Sequence, residues 1–455
     1  MRISRRMVLG TMAGMAALPL AGCQLVPAAF QPPPTVIPAR PVHLAGIMSQ
    51  NLTAADQANY RRTYQQVVDT VADNGVAVDK TITWIPGTPP GQSGYAAGMS
   101  TFQNIETAYM GNAAGGTPSP DLLLLAGNPA QIYTPWLLQK LVGGPLVLAI
   151  DSQVRSDRTT DQQDYYPQAL NTCRIAGKLY GLPTAIEPYL LLADLNQLPA
   201  AGVQSPQTWD WAHLLDAATR LTKPPSQYAF APTNFPTPEF FLWQHGGALL
   251  SADGQHCTLD ELAAIEAATF YGDLFTSYKV IAPPGKDAYE WPIKPSGQMT
   301  YNGARVAMLM TTVGDNLPTS LQFGEPFHDS ARATTLVVND ALVMTVRAAD
   351  PARAYPAMAA LANELQKQSF LPARRSLAKA IQAPKNVSQP ELTAVLNAAE
   401  YARASQLDPD ITAAFYNNLV TPLQQGTKKA ADACKEATDA INAIFQGRAA
   451  TPGSA

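Results

Sequence analysis

Few of the residues here that could do chemistry are spaced to do it. Ser376-Leu377-Ala378-Lys379 has the Ser-x-x-Lys spacing of serine–lysine hydrolases, but the partner motifs of such a site are absent. The five histidines, His43, His213, His245, His256 and His328, show no metal-ligand spacing. His256-Cys257 reads as a surface turn after Asp253-Gly254. No glycine-rich phosphate loop follows a strand. A glycosidase needs two carboxylates about 5–10 Å apart, and nothing in the sequence marks such a pair. The expectation is a protein that is not an enzyme and carries no cofactor and no metal.

Cysteines add little chemistry. Cys173, Cys257 and Cys434 are widely spaced and odd in number, so one disulfide with one thiol is open, but sequence cannot pair them. The better reading makes them small buried apolar residues. Of the 455 residues, 46% are hydrophobic and 15% charged, which describes a soluble globular chain with room for two domains. The net charge of −4 and the absence of any basic run argue against nucleic acid as a partner.

The elements that must position a site alternate strand and helix. Val42 to Ile47 is a short apolar strand, and Thr53 is an N-cap with Asp56 three residues on. Tyr60, Tyr64, Val67, Val68 and Val71 recur at helical spacing before the stop Asn74-Gly75. Val76 to Ile85 is strand-like, Tyr95 to Met110 a second helix, and Asp121 to Ala126 a fully apolar strand. This β-α-β-α-β order predicts a parallel sheet with helices on both faces. Beyond Pro199, Ser205-Pro206 is expected to open a helix through Trp209 and Leu214, and Thr258 to Glu261 to form a capping box. Leu336 to Val346 reads as another apolar strand. Asp350-Pro351 starts an Ala-rich helix, and a last helix should run from about Thr421 to Phe445.

The first forty residues read as an address. Arg5-Arg6 begins a twin-arginine pattern, and the small and apolar run from Met7 to Gly22 is too short for a comfortable membrane span. Leu20-Ala21-Gly22-Cys23 resembles the lipobox of bacterial lipoproteins, which implies a signal peptide over 1–22 and lipid attachment at Cys23. Residues 23–40, with Pro27, Pro32, Pro33, Pro34 and Pro38, then form a proline-rich tether. No later run is long enough to span a bilayer, so the anchor would be lipid alone.

In the rest of the chain several short motifs appear in a fixed order. They are Gly177-Lys178-Leu179-Tyr180-Gly181-Leu182-Pro183, then Pro206-Gln207-Thr208-Trp209-Asp210, then Trp243-Gln244-His245-Gly246-Gly247, and finally Gly303-Ala304-Arg305-Val306-Ala307-Met308. With the lipobox before them, the chain resembles the extracellular solute-binding proteins of ABC importers, in the maltose-binding-like carbohydrate group. The resemblance implies an α/β fold of two lobes, each a mostly parallel sheet flanked by helices, with the ligand cleft between them. Lobe one would take 42–185 and 340–380, and lobe two 190–332 and 381–446. It also implies a monomer that catches a sugar or oligosaccharide by hinge closure and delivers it to permease subunits at the outer face of the membrane.

The site can be placed on two grounds. Ligands of open α/β sheets bind beyond the carboxyl ends of the strands, which selects Ser49, Gln50 and Asn51 after the first strand, then Gly127 and Asn128 after the third. A sugar needs planar amides or carboxylates for its hydroxyls and aromatic rings for its C–H faces. Asn51, Asn128 and Glu187 suit the first task, and Tyr189, Trp243, Trp291, Phe415 and Tyr416 the second. By resemblance Glu187 is the sugar-contacting carboxylate beside the hinge, Asn128 a polar cleft residue, and Phe415-Tyr416 an aromatic pair lining the cleft. Thr311-Thr312-Val313-Gly314 stands where maltose binders place a stacking tryptophan, which widens the choice of ligand. The alternatives are a surface-anchored carbohydrate-active enzyme, or the same receptor fold for glycerol phosphate or a peptide. Phosphate would want a basic cleft, and these loops carry no Lys or Arg.

Overall fold

Thr53 accepts a hydrogen bond from Asp56 N and opens the helix Ala54–Asp73 as expected. Tyr64, Val67, Val68 and Val71 make its buried stripe, and Gly75, at φ 86°, takes the left-handed turn beyond its end. A computed structural model describes residues 40–89, 94–111, 119–125, 134–204, 209–232, 237–283, 293, 296–312, 319–383, 387–404 and 409–449.

Strands β1 (Val42–Met48), β2 (Val78–Pro86) and β3 (Leu122–Leu125) are parallel, with β1 in the middle. Every residue of β1 and β3 is buried, as a strand covered on both faces requires. Burying each leucine of β3 stabilises the sheet by about 1.5–3 kcal/mol relative to exposure. A small hairpin, β4 (Arg174–Ile175) with β5 (Lys178–Leu179), precedes β6 (Gly181–Pro188). The second sheet takes β7 (Leu190–Asp194), β8 (Gln227–Ala231), β9 (Thr300–Tyr301), β10 (Ala304–Thr311) and β11 (Leu321–Gly324). Its order is β11-β7-β10-β8, with β9 beside β10. The chain then re-enters the first sheet with β12 (Thr334–Met344) and β13 (Ala402–Ala404), giving the order β13-β12-β3-β1-β2 with β6 also paired to β12.

The fold is the expected α/β arrangement of two sheets flanked by helices, with corrections of detail. In the second sheet only the β10–β8 pairing is parallel among those described, because β7 runs straight on from β6 and lies antiparallel to β10 and β11. The stretch 402–404 belongs to the first sheet, where Ala402 pairs with Thr334. The helix expected from Ser205 starts at Trp211, capped by Asp210, whose side chain accepts from His213 N; residues 205–208 lie outside the described residues. Thr258 does not cap a helix but donates to Ala248 O, and the helix Leu262–Phe275 begins after Glu261. The expected last helix is two, Thr421–Gln425 and Ala430–Ala449, divided at Gly426 with φ 65°. Cys173, Cys257 and Cys434 are free and buried, as small apolar residues would be.

Candidate functional site

The chain changes sheets at one residue. Glu187 and Pro188 close β6 opposite Val337 and Leu336 of β12, and Leu190 already belongs to β7. Tyr189, between them, donates from its backbone N–H to Thr335 O at 2.8 Å, and its carbonyl accepts from Thr334 Oγ1 at 2.9 Å. Both threonines are buried and open β12, where the return crossing, residues 325–333, rejoins the first sheet. The outward and return crossings are therefore pinned to each other at Tyr189.

Gln244 ties the return crossing to the second lobe. Its Nε2 donates to Phe327 O at 2.6 Å and Ala333 O at 2.8 Å, while its Oε1 accepts from Trp211 Nε1 at 2.8 Å. The next residue, His245, lies between Asp329 (2.6 Å from Nδ1) and Glu266 (2.9 Å from Nε2), with its ring 5.4 Å from that of Trp211. The bond to Glu266 raises the imidazole pKa, aided by Asp329 and opposed by burial. Asp340 occupies the register shift between β6 and β12, with its carbonyl accepting from Thr184 Oγ1 at 3.3 Å. Burial pushes its carboxyl up to about 6, against the lowering effect of a bond from Tyr64.

At the carboxyl end of β1, Ser49 is fully buried and its Oγ accepts from Asn51 N at 3.2 Å. Gly87 N donates to Met48 O at 2.7 Å and Gln50 N to Thr88 O at 2.9 Å, so the loops after β1 and β2 are joined. A Cβ on Gly87 would lie 2.9 Å from Ile47, which explains the glycine. Gln50 and Asn51 remain exposed on this platform.

The other expected residues are distributed as follows. Glu187 is partly buried beside the junction, and Tyr189 is 9% exposed within it. Trp243 is 6% exposed and carries the Arg403 guanidinium over its ring at 5.8 Å. Phe415, at 2% exposed, is a core residue packed with Leu242, Ala267, Tyr271 and Leu423; the partly buried Tyr416 is the member of the pair nearer the surface. Asn128, Gly127 and Trp291 lie outside the described residues, as does Cys23. Thr334, Thr335, Gln244 and Asp340 were not singled out from sequence as site residues. For Asp340 a cue existed, since Asn339-Asp340 interrupts the apolar run from Leu336.

The serine of the Ser-x-x-Lys motif is held by an acid. Ser376 Oγ donates to Asp164 at 2.5 Å and its N–H to the same carboxylate at 2.8 Å. Arg374 also binds Asp164, at 2.7 Å, so the acid fastens the helix Arg375–Lys379 to the segment before it. Among the described residues no group of three His, Cys, Asp or Glu side chains is placed to hold a metal ion, and no helix is long and apolar enough to cross a membrane.

No family model matches the chain, and no curated protein matches it. Solved structures do. The ABC substrate-binding protein Lmo0181 from Listeria monocytogenes, in complex with cycloalternan, is 16% identical with a TM-score of 0.63, covering 89% of this chain and 99% of that one. The sugar-binding protein MalE from Xanthomonas citri is 17% identical with a TM-score of 0.65, covering 90% and 98%. UgpB from Mycobacterium tuberculosis, in complex with glycerophosphocholine, is 14% identical with a TM-score of 0.63, covering 90% and 100%. The chain has the two-lobe fold of these solute-binding proteins along nearly its whole described length.

Proposed function

We propose that this chain is the substrate-binding lipoprotein of an ABC import system and takes a sugar or oligosaccharide between its two lobes. The observation that carries the reading is the place of Glu187, partly buried on the last turn of strand before Tyr189, where the chain passes from one sheet to the other. A carboxylate at the junction about which the lobes would rotate suits sugar hydroxyls, and bonds to charged groups contribute roughly 1.5–3 kcal/mol. Cycloalternan, the ligand named with Lmo0181, is a saccharide. Gln50 and Asn51, exposed on the β1 platform, supply amides, and Tyr416 an aromatic face. Asn128 and Trp291 complete the set from the sequence.

The anchor belongs to the same reading. Acylation at Cys23 after removal of residues 1–22 would hold the receptor at the outer face of the membrane on its proline-rich tether, as a monomer that docks on permease subunits. Export by the twin-arginine route rests on Arg5 and Arg6. Glycerophosphocholine in UgpB favours a second reading, a phosphate ester as ligand. The absence of Lys and Arg from 49–51 and 187–189 weighs against it.

A thermal-shift screen of the protein from Pro41 onward against sugars, polyols and phosphate esters tests the proposal, since binding stabilises by RT ln(1 + [L]/Kd). A saccharide that raises the melting temperature, and lowers the radius of gyration in small-angle scattering, is the expected result. Stabilisation by phosphate esters alone, or release of reducing ends from oligosaccharides, would replace it.

A further inference from the structure

A cavity of about 620 Å³ opens in lobe one between the segment 153–165 and the helix Pro351–Gln368. Its volume falls in the roughly 300–1,000 Å³ range of small-molecule sites. Its two ends lie differently: the helix starts at the amino end of β3, while Arg374, at the other end, follows Ala373, whose N–H donates to Thr184 O of β6. Thr345 N donates to Asp121 O and Ala349 N to Asp121 Oδ1, so the helix begins beside the amino end of β3. The platform of Gln50 and Asn51 stands at the opposite, carboxyl end of the parallel strands.

One face of the helix forms the apolar wall. Ala352, Pro356, Ala359 and Ala360 recur at three- and four-residue intervals and give the cavity an apolar face. Facing polar groups come from the other side. Asp157 accepts from Thr159 Oγ1 at 2.7 Å and Thr160 Oγ1 at 2.6 Å, and although burial opposes its charge, these bonds hold its carboxyl below the usual range. Arg374 is neutralised by Asp164 at 2.7 Å and also donates to Asn363 Oδ1 at 3.1 Å. Tyr355 is 4% exposed, and its hydroxyl, close to Thr160 and Asp157, completes no hydrogen bond of ordinary length and angle. A buried hydroxyl held only by imperfect bonds to Thr160 and Asp157 gains from a ligand that offers it a well-placed partner.

From this geometry we infer a second binding site, in lobe one and outside the cleft, for a neutral polyhydroxylated molecule of mono- to disaccharide size. The Ala and Pro stripe takes the C–H face of the ring, while Asp157, Asn363 and the Tyr355 hydroxyl take its hydroxyls. Anions are disfavoured, because the one arginine in the wall is already paired and Asp157 keeps its charge.

Hydrogen–deuterium exchange with glucose and maltose as probes tests this directly. Either sugar should slow exchange in peptides spanning 153–165 and 351–363, and the effect should persist in Glu187→Ala. Ala359→Trp, which fills the cavity, should abolish the protection there without changing that at 49–51 and 187–189. Tyr355→Phe and Thr160→Val should each weaken it about three- to tenfold, the range of one hydrogen bond. Because the cavity is read from its own peptides, its failure leaves the cleft reading standing, and the reverse holds. Protection confined to the cleft peptides, cavity protection that survives Ala359→Trp, or no protection by either sugar would overturn the inference. So would equal protection by glucose 6-phosphate, or protection by glucosamine alone.

Discussion

The Tyr64 hydroxyl donates a 3.0 Å hydrogen bond to Asp340 Oδ2, joining the first helix to β12 across 276 residues of sequence. Asp340 stands in the register shift between β6 and β12, which pair on both sides of it. Tyr64 packs in turn on Tyr60 and Trp84, each ring centroid 5.9 Å away. A charged carboxyl in this partly buried position is disfavoured, and burial raises its pKa to about 6.

That shift has a sign. The ordinary carboxylate value is about 3.9, so the unfolded chain releases its proton first as pH rises. Asp340 therefore costs the fold nothing below about pH 4, and the cost grows until pH passes about 6. Asp340→Asn keeps the acceptor for Tyr64 and removes the charge. It should stabilise the protein by about 1–2 kcal/mol at pH 7 and by nothing at pH 4, allowing for solvent screening. Urea unfolding at both pH values measures it, and equal stabilisation at both would show that charge is not the cause.

His245 gives the opposite slope. Its folded pKa is raised, first by Glu266 and then by Asp329, so its stabilisation is full below the unfolded value of about 6.5. It is lost as pH rises through the folded value. Since the ring is partly exposed, the effect should not exceed about 1 kcal/mol. His245→Gln should flatten the pH dependence above about 6.5, and an unchanged curve would place the slope elsewhere.

Gln244 is fully buried, and its amide satisfies two carbonyls of the return crossing. Gln244→Ala would leave Phe327 O, Ala333 O and Trp211 Nε1 without this partner. A loss of about 2–4 kcal/mol is expected from unsatisfied buried groups and the space left behind. Hydrogen exchange should accelerate through 325–335 ahead of the rest of the second lobe. Global destabilisation with no local effect would remove Gln244 from the hinge.

Much of this fold was legible because local rules suffice for its pieces. Thr53 with Asp56, the Tyr64 to Val71 stripe and the four leucines of β3 each declare their element within a few residues. The misreadings came where two local rules competed or where the decision was long-range. Asp210 caps the helix that begins at Trp211, and Gly426 divides a helix whose apolar pattern runs on. Strand direction in the second sheet depends on how β7 leaves the crossing, which no pattern in Leu190–Asp194 encodes. The clamp of Thr334 on Tyr189 spans 145 residues, and nothing in either residue's neighbourhood announces it. Phe415 is buried, and an aromatic pair looks the same in sequence whether it lies in a core or in a cleft.

Membrane attachment should depend on Cys23. One acyl chain binds only marginally, but a diacylglycerol supplies two, and no helix among the described residues can span a bilayer. Cys23→Ala should move the protein from the membrane pellet to the soluble exported fraction. If the variant stays in the pellet, another anchor exists. Arg5→Lys with Arg6→Lys should block export by the twin-arginine route, and normal processing would assign the general secretory route instead.

Glu187 should be the strongest single polar contact to the ligand. It lies two residues before Tyr189, whose backbone is fixed by Thr334 and Thr335, so its strand would be held if the lobes rotate as proposed. The side chain is partly buried rather than part of the core, so truncation removes little packing. A bond to a charged acceptor contributes roughly 1.5–3 kcal/mol, and 1.4 kcal/mol is one decade of affinity. Glu187→Ala should therefore weaken binding of the best saccharide from the screen by about ten- to a hundredfold. Glu187→Gln keeps the shape without the charge and should fall between. Neither variant should shift the melting point of the ligand-free protein by more than a degree or two, about the size of a surface change of ±0.5 kcal/mol. Titration calorimetry decides the matter. Binding within about twofold of wild type in Glu187→Ala, a difference below 0.5 kcal/mol, would make Glu187 an ordinary hinge acid.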